Sequence, residues 1–363
     1  MVLKQVNEPF MTAETLCRHG NRGNGFITVN RREKYSHGFR WKLGINTNPC
    51  VQLRNGRRCI YCGFLNYRNP SPPSKVGQVF NEVFKDSDLS EINRLELYVS
   101  GSFFDDKEVS PNSRLDIIKA ISDSRIPETV LESRPEFITE ENLKTLASAI
   151  DPKRITIAVG VETMDDKLRN KLAKGFSTEE IVACLRRIAK AEMNFQAYLL
   201  LNSPVINNDK KAIIDIINSS KKLISLAKKW DCQLILAIQP FFVARNSLVA
   251  QNPSPKNSVK PPWLYSIALT LKLLDTIIAK EKSGLRVILG NEHDNVDPVL
   301  ISSNYTSDKE VCSCTENTRR HLGEINTSHK KRQESIRKIL ESTCYCKGVW
   351  ESEISAHSLI DDL

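Results

Sequence analysis

Residues 38–290 predict an α/β fold in which parallel strands alternate with helices and form a partial or full (β/α) barrel. Three observations carry this. Short apolar runs recur along the segment with helix-period stretches between them, as repeated βα units with right-handed crossovers require. No Gly-x-Gly-x-x-Gly follows the first strand, which argues against a flat dinucleotide-binding sheet. The unusual residues fall just after the first, second and third runs, where a barrel carries its chemistry. A basic, irregular extension (1–37) precedes this segment and a small Cys-rich module (291–363) follows it.

Residues 1–37 are rich in Gly, Asn and Arg and lack a period, so an irregular lead-in is expected. Phe39-Arg-Trp-Lys-Leu-Gly-Ile45 alternates apolar and polar, as a half-buried strand does. Further strands are expected at Leu95–Val99, Thr129–Leu131, Ile155–Val161, Phe195–Leu201, Leu234–Ile238 and Leu285–Leu289. Between them, helical periods cover Asn112–Ser124, Glu140–Ala149, Thr178–Glu192, Asp209–Lys229 and Trp263–Glu281. Ser177-Thr-Glu-Glu180 has the spacing of a capping box. Residues 250–262 read as a proline-broken loop, a lid or a domain junction. The last module holds one basic helix, roughly His329–Leu340, bracketed by two Cys-x-Cys pairs.

A chain of 363 residues accommodates one large barrel or two medium domains, and its 40% hydrophobic and 26% charged content is that of a soluble protein. It contains no run of eighteen apolar residues, so no membrane partner is expected. Glu8 and Pro9 soon follow the N-terminus without an apolar signal core, so a cytoplasmic location is expected. Charge is uneven: residues 1–75 carry thirteen Lys or Arg against three acids, more than the chain's whole excess of +9. With Phe26, Tyr35, Phe39, Trp41, Tyr61 and Tyr67 interleaved, Arg31, Arg32, Arg57 and Arg58 are candidates to hold a nucleic-acid substrate. An acidic peptide or a merely solvated extension fits the same charges.

Ten cysteines are many for a reducing compartment, where clusters serve metals or catalysis more often than disulfides. Cys17 stands alone, and Cys184 and Cys232 sit in apolar-periodic segments as plain packing residues. Cys50, Cys59 and Cys62 follow the first strand with eight and two intervening residues. Three thiolates can ligate three irons of a 4Fe–4S cluster and leave the fourth iron open. Half of a zinc site is the competing reading, but its second pair would lie about 250 residues away. Gly63-Phe64 would let the loop pass close to such a cluster.

Four further stretches belong with these cysteines: Ser100-Gly-Ser-Phe-Phe-Asp105, Glu132-Ser-Arg-Pro-Glu-Phe-Ile-Thr139, Val159-Gly-Val-Glu-Thr163 with Lys174-Gly-Phe176, and Ala197-Tyr-Leu-Leu-Leu201. Together, over roughly residues 39–350, the chain resembles the archaeosine-forming radical S-adenosylmethionine (radical SAM) proteins, relatives of the elongator catalytic subunit. The resemblance implies a radical SAM barrel in which Cys50, Cys59 and Cys62 are catalytic and hold the cluster. The open iron would bind S-adenosylmethionine, and one electron would cleave it to a 5′-deoxyadenosyl radical. Tyr61 would pack by the adenine. Ser100, Gly101 and Ser102 would hold the methionyl ammonium and carboxylate, or form an ordinary turn. Glu132, Ser133 and Arg134 would meet the ribose and carboxylate, or form a structural ion pair under the rim. Glu162 would contact the sulfonium or substrate. Asp105 and Asp106 would bind substrate amines or cap the next helix.

Cys312, Cys314, Cys344 and Cys346 could converge on zinc as a closed clamp or on an auxiliary Fe–S cluster, with unligated burial as the bland alternative. The resemblance implies a lyase acting on tRNA, fragmenting the lysyl part of a modified 7-deazaguanine. A small partner subunit and an electron donor such as flavodoxin or ferredoxin belong to that expectation. One stretch departs from the family. Asn46-Thr-Asn-Pro-Cys50 replaces the usual Thr-Arg-Gly-Cys, which keeps open a maturase that cleaves or rearranges the backbone of a precursor peptide. A metal-clamped RNA-binding protein with a degenerate barrel is the non-enzymatic alternative.

Overall fold

The computed structural model describes residues 26–36, 38–63, 69–252, 259–281, 284–290 and 298–354. Cys17, Phe64 and Tyr67 lie outside them. Ten strands are present among the described residues: β1 (Ile27–Tyr35), β2 (Gly38–Ile45), β3 (Ile92–Tyr98), β4 (Glu128–Glu132), β5 (Ile155–Glu162), β6 (Asn194–Leu201), β7 (Leu234–Pro240), β8 (Val243–Ala244), β9 (Leu285–Leu289) and β10 (Pro298–Leu300). Eight form one sheet in the order β1-β2-β3-β4-β5-β6-β7-β9, while β8 and β10 pair apart. From β2 onward every neighbour in the large sheet is parallel.

The sheet curls without closing. Tyr35 of β1 packs with Ile235 and Ala237 of β7 and Ile288 of β9, although β1 and β9 are not paired. The expected barrel is therefore a partial one. One expectation is corrected here: residues 27–35, read as irregular, form β1, antiparallel to β2. Its sequence, ITVNRREKY, hides the strand because its central charges, Arg31, Arg32 and Glu33, find partners within the sheet. Glu33 meets Lys42 at 3.4 Å and also binds Arg40.

Alternation along the strands explains the layers. On β2, Trp41, Leu43 and Ile45 are buried among the apolar core, and Trp41 stacks at 5.8 Å on Phe84 of α2 (Val76–Lys85). The intervening Arg40 and Lys42 are buried as well, in an ionic layer with Glu33 and Glu96. Arg94 continues it, 2.7 Å from Glu96 and 2.5 Å from Glu128. Burial would raise the Glu96 pKa, but Arg40 and Arg94 outweigh it and hold the carboxyl at about 2. Such a layer fixes register more than it adds stability.

The helices α3 (Pro111–Asp123), α4 (Glu140–Ala149), α6 (Thr178–Lys190), α7 (Asp209–Lys229) and α9 (Leu264–Ile278) agree with the periodic segments, and the Ser177/Glu180 capping box is formed. Asp209 is half-buried and accepts from Trp263 N at 3.2 Å. Burial pushes its pKa from 3.8 to about 7. The unfolded chain releases this proton first, so the group's contribution to stability is full below pH ~4 and lost as pH rises through its folded value. Asp209→Asn is expected to remove that loss, gaining ~1–3 kcal/mol at pH 8 in denaturant unfolding.

The C-terminal module, α10 (Thr315–Gly323), α11 (His329–Leu340) and α12 (Tyr345–Ile354), docks on α9. Trp350 Nε1 donates to Ser266 Oγ at 2.9 Å, and Arg332 grips Asp275 with two bonds of 2.8 and 2.9 Å. Asn326 both donates to Leu289 O (2.6 Å) and accepts from Leu289 N (3.0 Å), capping the exposed edge of β9. No helix among the described residues is long and apolar enough to cross a membrane.

Candidate functional site

The loop after β2 carries the first three thiols. Cys50 precedes the short helix α1 (Val51–Arg54) but makes no side-chain capping bond. Cys50, Cys59 and Cys62 are half-buried. Backbone bonds fasten the loop on several sides: Arg57 N to Gln52 O (2.8 Å), Cys62 N to Cys59 O (3.2 Å) and Ile60 N to Leu172 O (3.2 Å). Val249 N, on α8 (Leu248–Gln251), donates to Ile60 O at 3.2 Å. Arg54 ties Pro49 O to Asp105.

The loop after β3 meets Cys50 directly. A Cβ built on Gly101 would stand 2.3 Å from Cys50 Cβ and 3.0 Å from Cys50 Cα. No side chain fits there, so glycine is what allows the two loops to touch. The flanking serines anchor this contact. Ser100 Oγ donates to Thr47 O (2.9 Å) and accepts from Thr47 N (3.0 Å). Ser102 Oγ accepts from Arg134 N (3.1 Å), and Ser102 N donates to Glu108 Oε2 (3.0 Å). Burial pushes Glu108 up to about 8.

Cys59 stands in a field of charges. Burial pushes its thiol pKa up, Lys174 and Arg134 pull it down, and Cys50 and Glu162 push it up again. These groups come from different loops, and the fold brings Cys50, Cys59, Arg134 and Glu162 near one another. Lys174 Nζ bonds Glu162 Oε1 at 2.7 Å and Tyr61 OH at 3.1 Å. Burial opposes the Lys174 charge, but Glu162 and Cys59 together offset it and raise its pKa. A Cβ on Gly160 would fall 2.6 Å from Lys174 Nζ, so β5 leaves room for this pair. Glu162 itself sits at φ 64°, a left-handed conformation that costs energy for a non-glycine residue and recurs at functional sites.

Arg134 does not pair with Glu132; it donates through Nε to Glu136 at 2.6 Å. Its buried Nη2 has no partner, nor has the buried Ser133 Oγ. Burial pushes Glu132 up to about 7. Asp105 and Asp106 do not cap the next helix, since α3 is capped by Ser110. Asp105 pairs with Arg54, and Asp106 with Arg114 at 2.6 Å. The four arginines are not one patch in sequence register. Arg31 and Arg32 lie midway along β1 opposite Lys42 and Trp41, whereas Arg57 and Arg58 lie on the cysteine loop. Arg32 covers the Trp41 ring at 5.5 Å.

Lys174 and Glu108 join the site only in the fold. Lys174 follows a strand–helix unit in Lys174-Gly-Phe176, and nothing in that sequence says that it is half-buried against Glu162 and Tyr61. Glu108 carries no local signal.

The second cysteine group is compact. Cys312, Cys314, Cys344 and Cys346 place their sulfurs all within 4.8 Å of one another, with Cys312–Cys344 at 3.5 Å and Cys314–Cys346 at 3.3 Å. A tetrahedral ion with metal–sulfur bonds of about 2.3 Å separates its thiolates by about 3.8 Å. In a cubane the thiolates radiate from separate irons and stand wider apart. Asn304 Nδ2 donates to Cys314 Sγ at 3.4 Å, and Tyr265 OH lies 3.4 Å from Cys346 Sγ. The group can hold a metal.

No family model matches the chain. It is 30% identical to archaeosine synthase subunit beta of Methanosarcina acetivorans over 219 residues, 59% of this chain and 61% of that relative. The chain is similar to archaeosine synthase subunit beta. The resemblance read from its motifs is thereby borne out, although the alignment spans less than two thirds of that relative's length. An uncharacterized protein of Methanocaldococcus jannaschii is 27% identical over 89% of this chain and 84% of its own length. Among solved structures, the radical S-adenosylmethionine methyltransferase TsrM of Kitasatospora setae, with cobalamin and a 4Fe-4S cluster bound, aligns with a TM-score of 0.42. Its identity is 13%, over 82% of this chain and 61% of that one.

Proposed function

We propose that the chain is a radical SAM lyase with Cys50, Cys59 and Cys62 as the ligands of a 4Fe–4S cluster. Its proposed substrate is tRNA bearing a lysine-modified 7-deazaguanine. The observation that carries the reading is the meeting of Cys50 and Cys59 with Gly101, Arg134 and Lys174 beside the C-terminal ends of parallel strands. The cations suit an anionic cluster, and Gly101 leaves the cysteine loop no competing side chain. Such a cluster supplies reductive cleavage of S-adenosylmethionine to a 5′-deoxyadenosyl radical.

The chain's own residues have separable tasks in this reading. Arg134 Nη2 and Ser133 Oγ, both buried without partners, would take the methionyl carboxylate, because an unpaired buried donor is costly until a ligand satisfies it. Glu132 would accept from the ribose hydroxyls. Lys174 holds Tyr61 and Glu162 against the site, so that the tyrosine ring can pack on the adenine. Homology to a synthase subunit supports both the tRNA substrate and a partner subunit. Flavodoxin or ferredoxin would supply the electron. In the second cysteine group the short sulfur–sulfur distances favour zinc over a cubane.

Anaerobic incubation with S-adenosylmethionine, dithionite and tRNA whose modified base carries a deuterated lysyl group tests this. Deuterium is expected in the 5′-deoxyadenosine. Transfer from a precursor peptide but not from tRNA would replace the tRNA substrate with a peptide.

A further inference from the structure

The cysteine loop carries one cation held in a particular pose and left unfinished. Arg58 immediately precedes Cys59. Its Nη1 donates to Gln251 Oε1 at 3.3 Å, across from α8. Its Nε and Nη2 are buried and have no hydrogen-bond partner. Those two nitrogens form one edge of the guanidinium, whose parallel N–H groups match two oxygens of a phosphate or carboxylate. The pose is fixed from both sides: Gln251 holds the opposite edge, and the Val249 N–Ile60 O bond pins α8 to the same loop. Unlike Arg31 and Arg32, which sit within the sheet, Arg58 stands one residue from a proposed cluster ligand, with the exposed Arg57 beside it.

We infer that Arg58 takes a phosphodiester flanking the reacting nucleoside of the nucleic-acid substrate, through a bidentate edge pre-aimed by Gln251. This rests on the tRNA reading above and deepens it by naming the group recognised. Phosphate is favoured over carboxylate because a second cation, Arg57, adjoins and because the chain carries a net charge of +9. A phosphate held here lies at the rim of the thiol site and fixes the register of the strand without reading its sequence.

The test is binding of the full chain to tRNA, by fluorescence anisotropy across a salt series. Arg58→Gln is expected to weaken binding about tenfold and to lower the salt slope by about one charge. Arg58→Lys should keep the slope yet lose several-fold in affinity, because an ammonium has no fork. Gln251→Leu should also weaken binding a few-fold with an unchanged slope. A neutral methylphosphonate at either phosphate beside the modified nucleoside should weaken wild-type binding as much as Arg58→Gln does. In the Arg58→Gln chain it should cost nothing further. Tight wild-type binding that is indifferent to Arg58 overturns the inference alone. Absence of wild-type tRNA binding overturns the tRNA reading with it, and tight binding of an acidic peptide instead assigns the edge to a carboxylate.

Discussion

A Gly101→Ala chain is expected to fold but to lose the ability to assemble the proposed iron–sulfur site. The added methyl would lie 2.3 Å from Cys50 Cβ and 2.8 Å from Glu108 Oε1. Neither neighbour can yield cheaply: Cys50 is held from behind by the Arg54 bonds to Pro49 O and Asp105, and Glu108 by Ser102 N. The two loops must therefore part by about an ångström, and a displacement of that size near reacting groups costs about 100-fold in rate. Iron content after anaerobic reconstitution and 5′-deoxyadenosine formation should both collapse. Gly348→Ala is the matched control, because nothing lies within 4 Å of its added Cβ. Equal loss in both chains would remove the loop contact from the account.

The second large effect concerns the terminal cysteines. Cys346→Ala leaves Cys312, Cys314 and Cys344 with an incomplete tetrahedron, and zinc content should fall from one per chain toward zero. Cys346 is fully buried, and its neighbours Tyr265 and Trp350 knit α9 to α12. Loss of the metal is thus expected to destabilise the chain and to release the C-terminal helices first. Hydrogen exchange should show early opening of α10–α12 with the sheet still protected. Metal analysis finding iron in place of zinc at this group would reassign it to an auxiliary cluster.

Much of the fold was legible because burial on one face writes a period into the sequence. Trp41, Leu43 and Ile45 announce β2, and the capped helices α4 and α7 begin and end where their periods do. β1 was illegible for the opposite reason. Its Arg31, Arg32 and Glu33 look like solvated charge, and only the partners Arg40 and Lys42 make a strand of them.

The site divides in the same way. Cys50, Cys59 and Cys62 declare themselves by spacing, and Ser100–Ser102 and Glu132–Arg134 by their places after strands. Partner identity was not legible: Arg134 chose Glu136 over Glu132, and Asp105 chose Arg54 over a helix end. Such choices depend on side-chain direction in three dimensions, which spacing along the chain does not encode. Lys174 is the clearest case, a surface-type residue in sequence that is half-buried between Glu162 and Tyr61 in the fold.

The most direct test of the central claim is 5′-deoxyadenosine production from S-adenosylmethionine by the anaerobically reconstituted chain with dithionite. The account predicts formation by the wild type, accompanied by about four irons in excess of any metal at the terminal cysteines. It predicts that Cys50→Ala, Cys59→Ala and Cys62→Ala each abolish it. A fully iron-loaded wild type that leaves S-adenosylmethionine intact, or product formation that survives Cys59→Ala, would contradict the account.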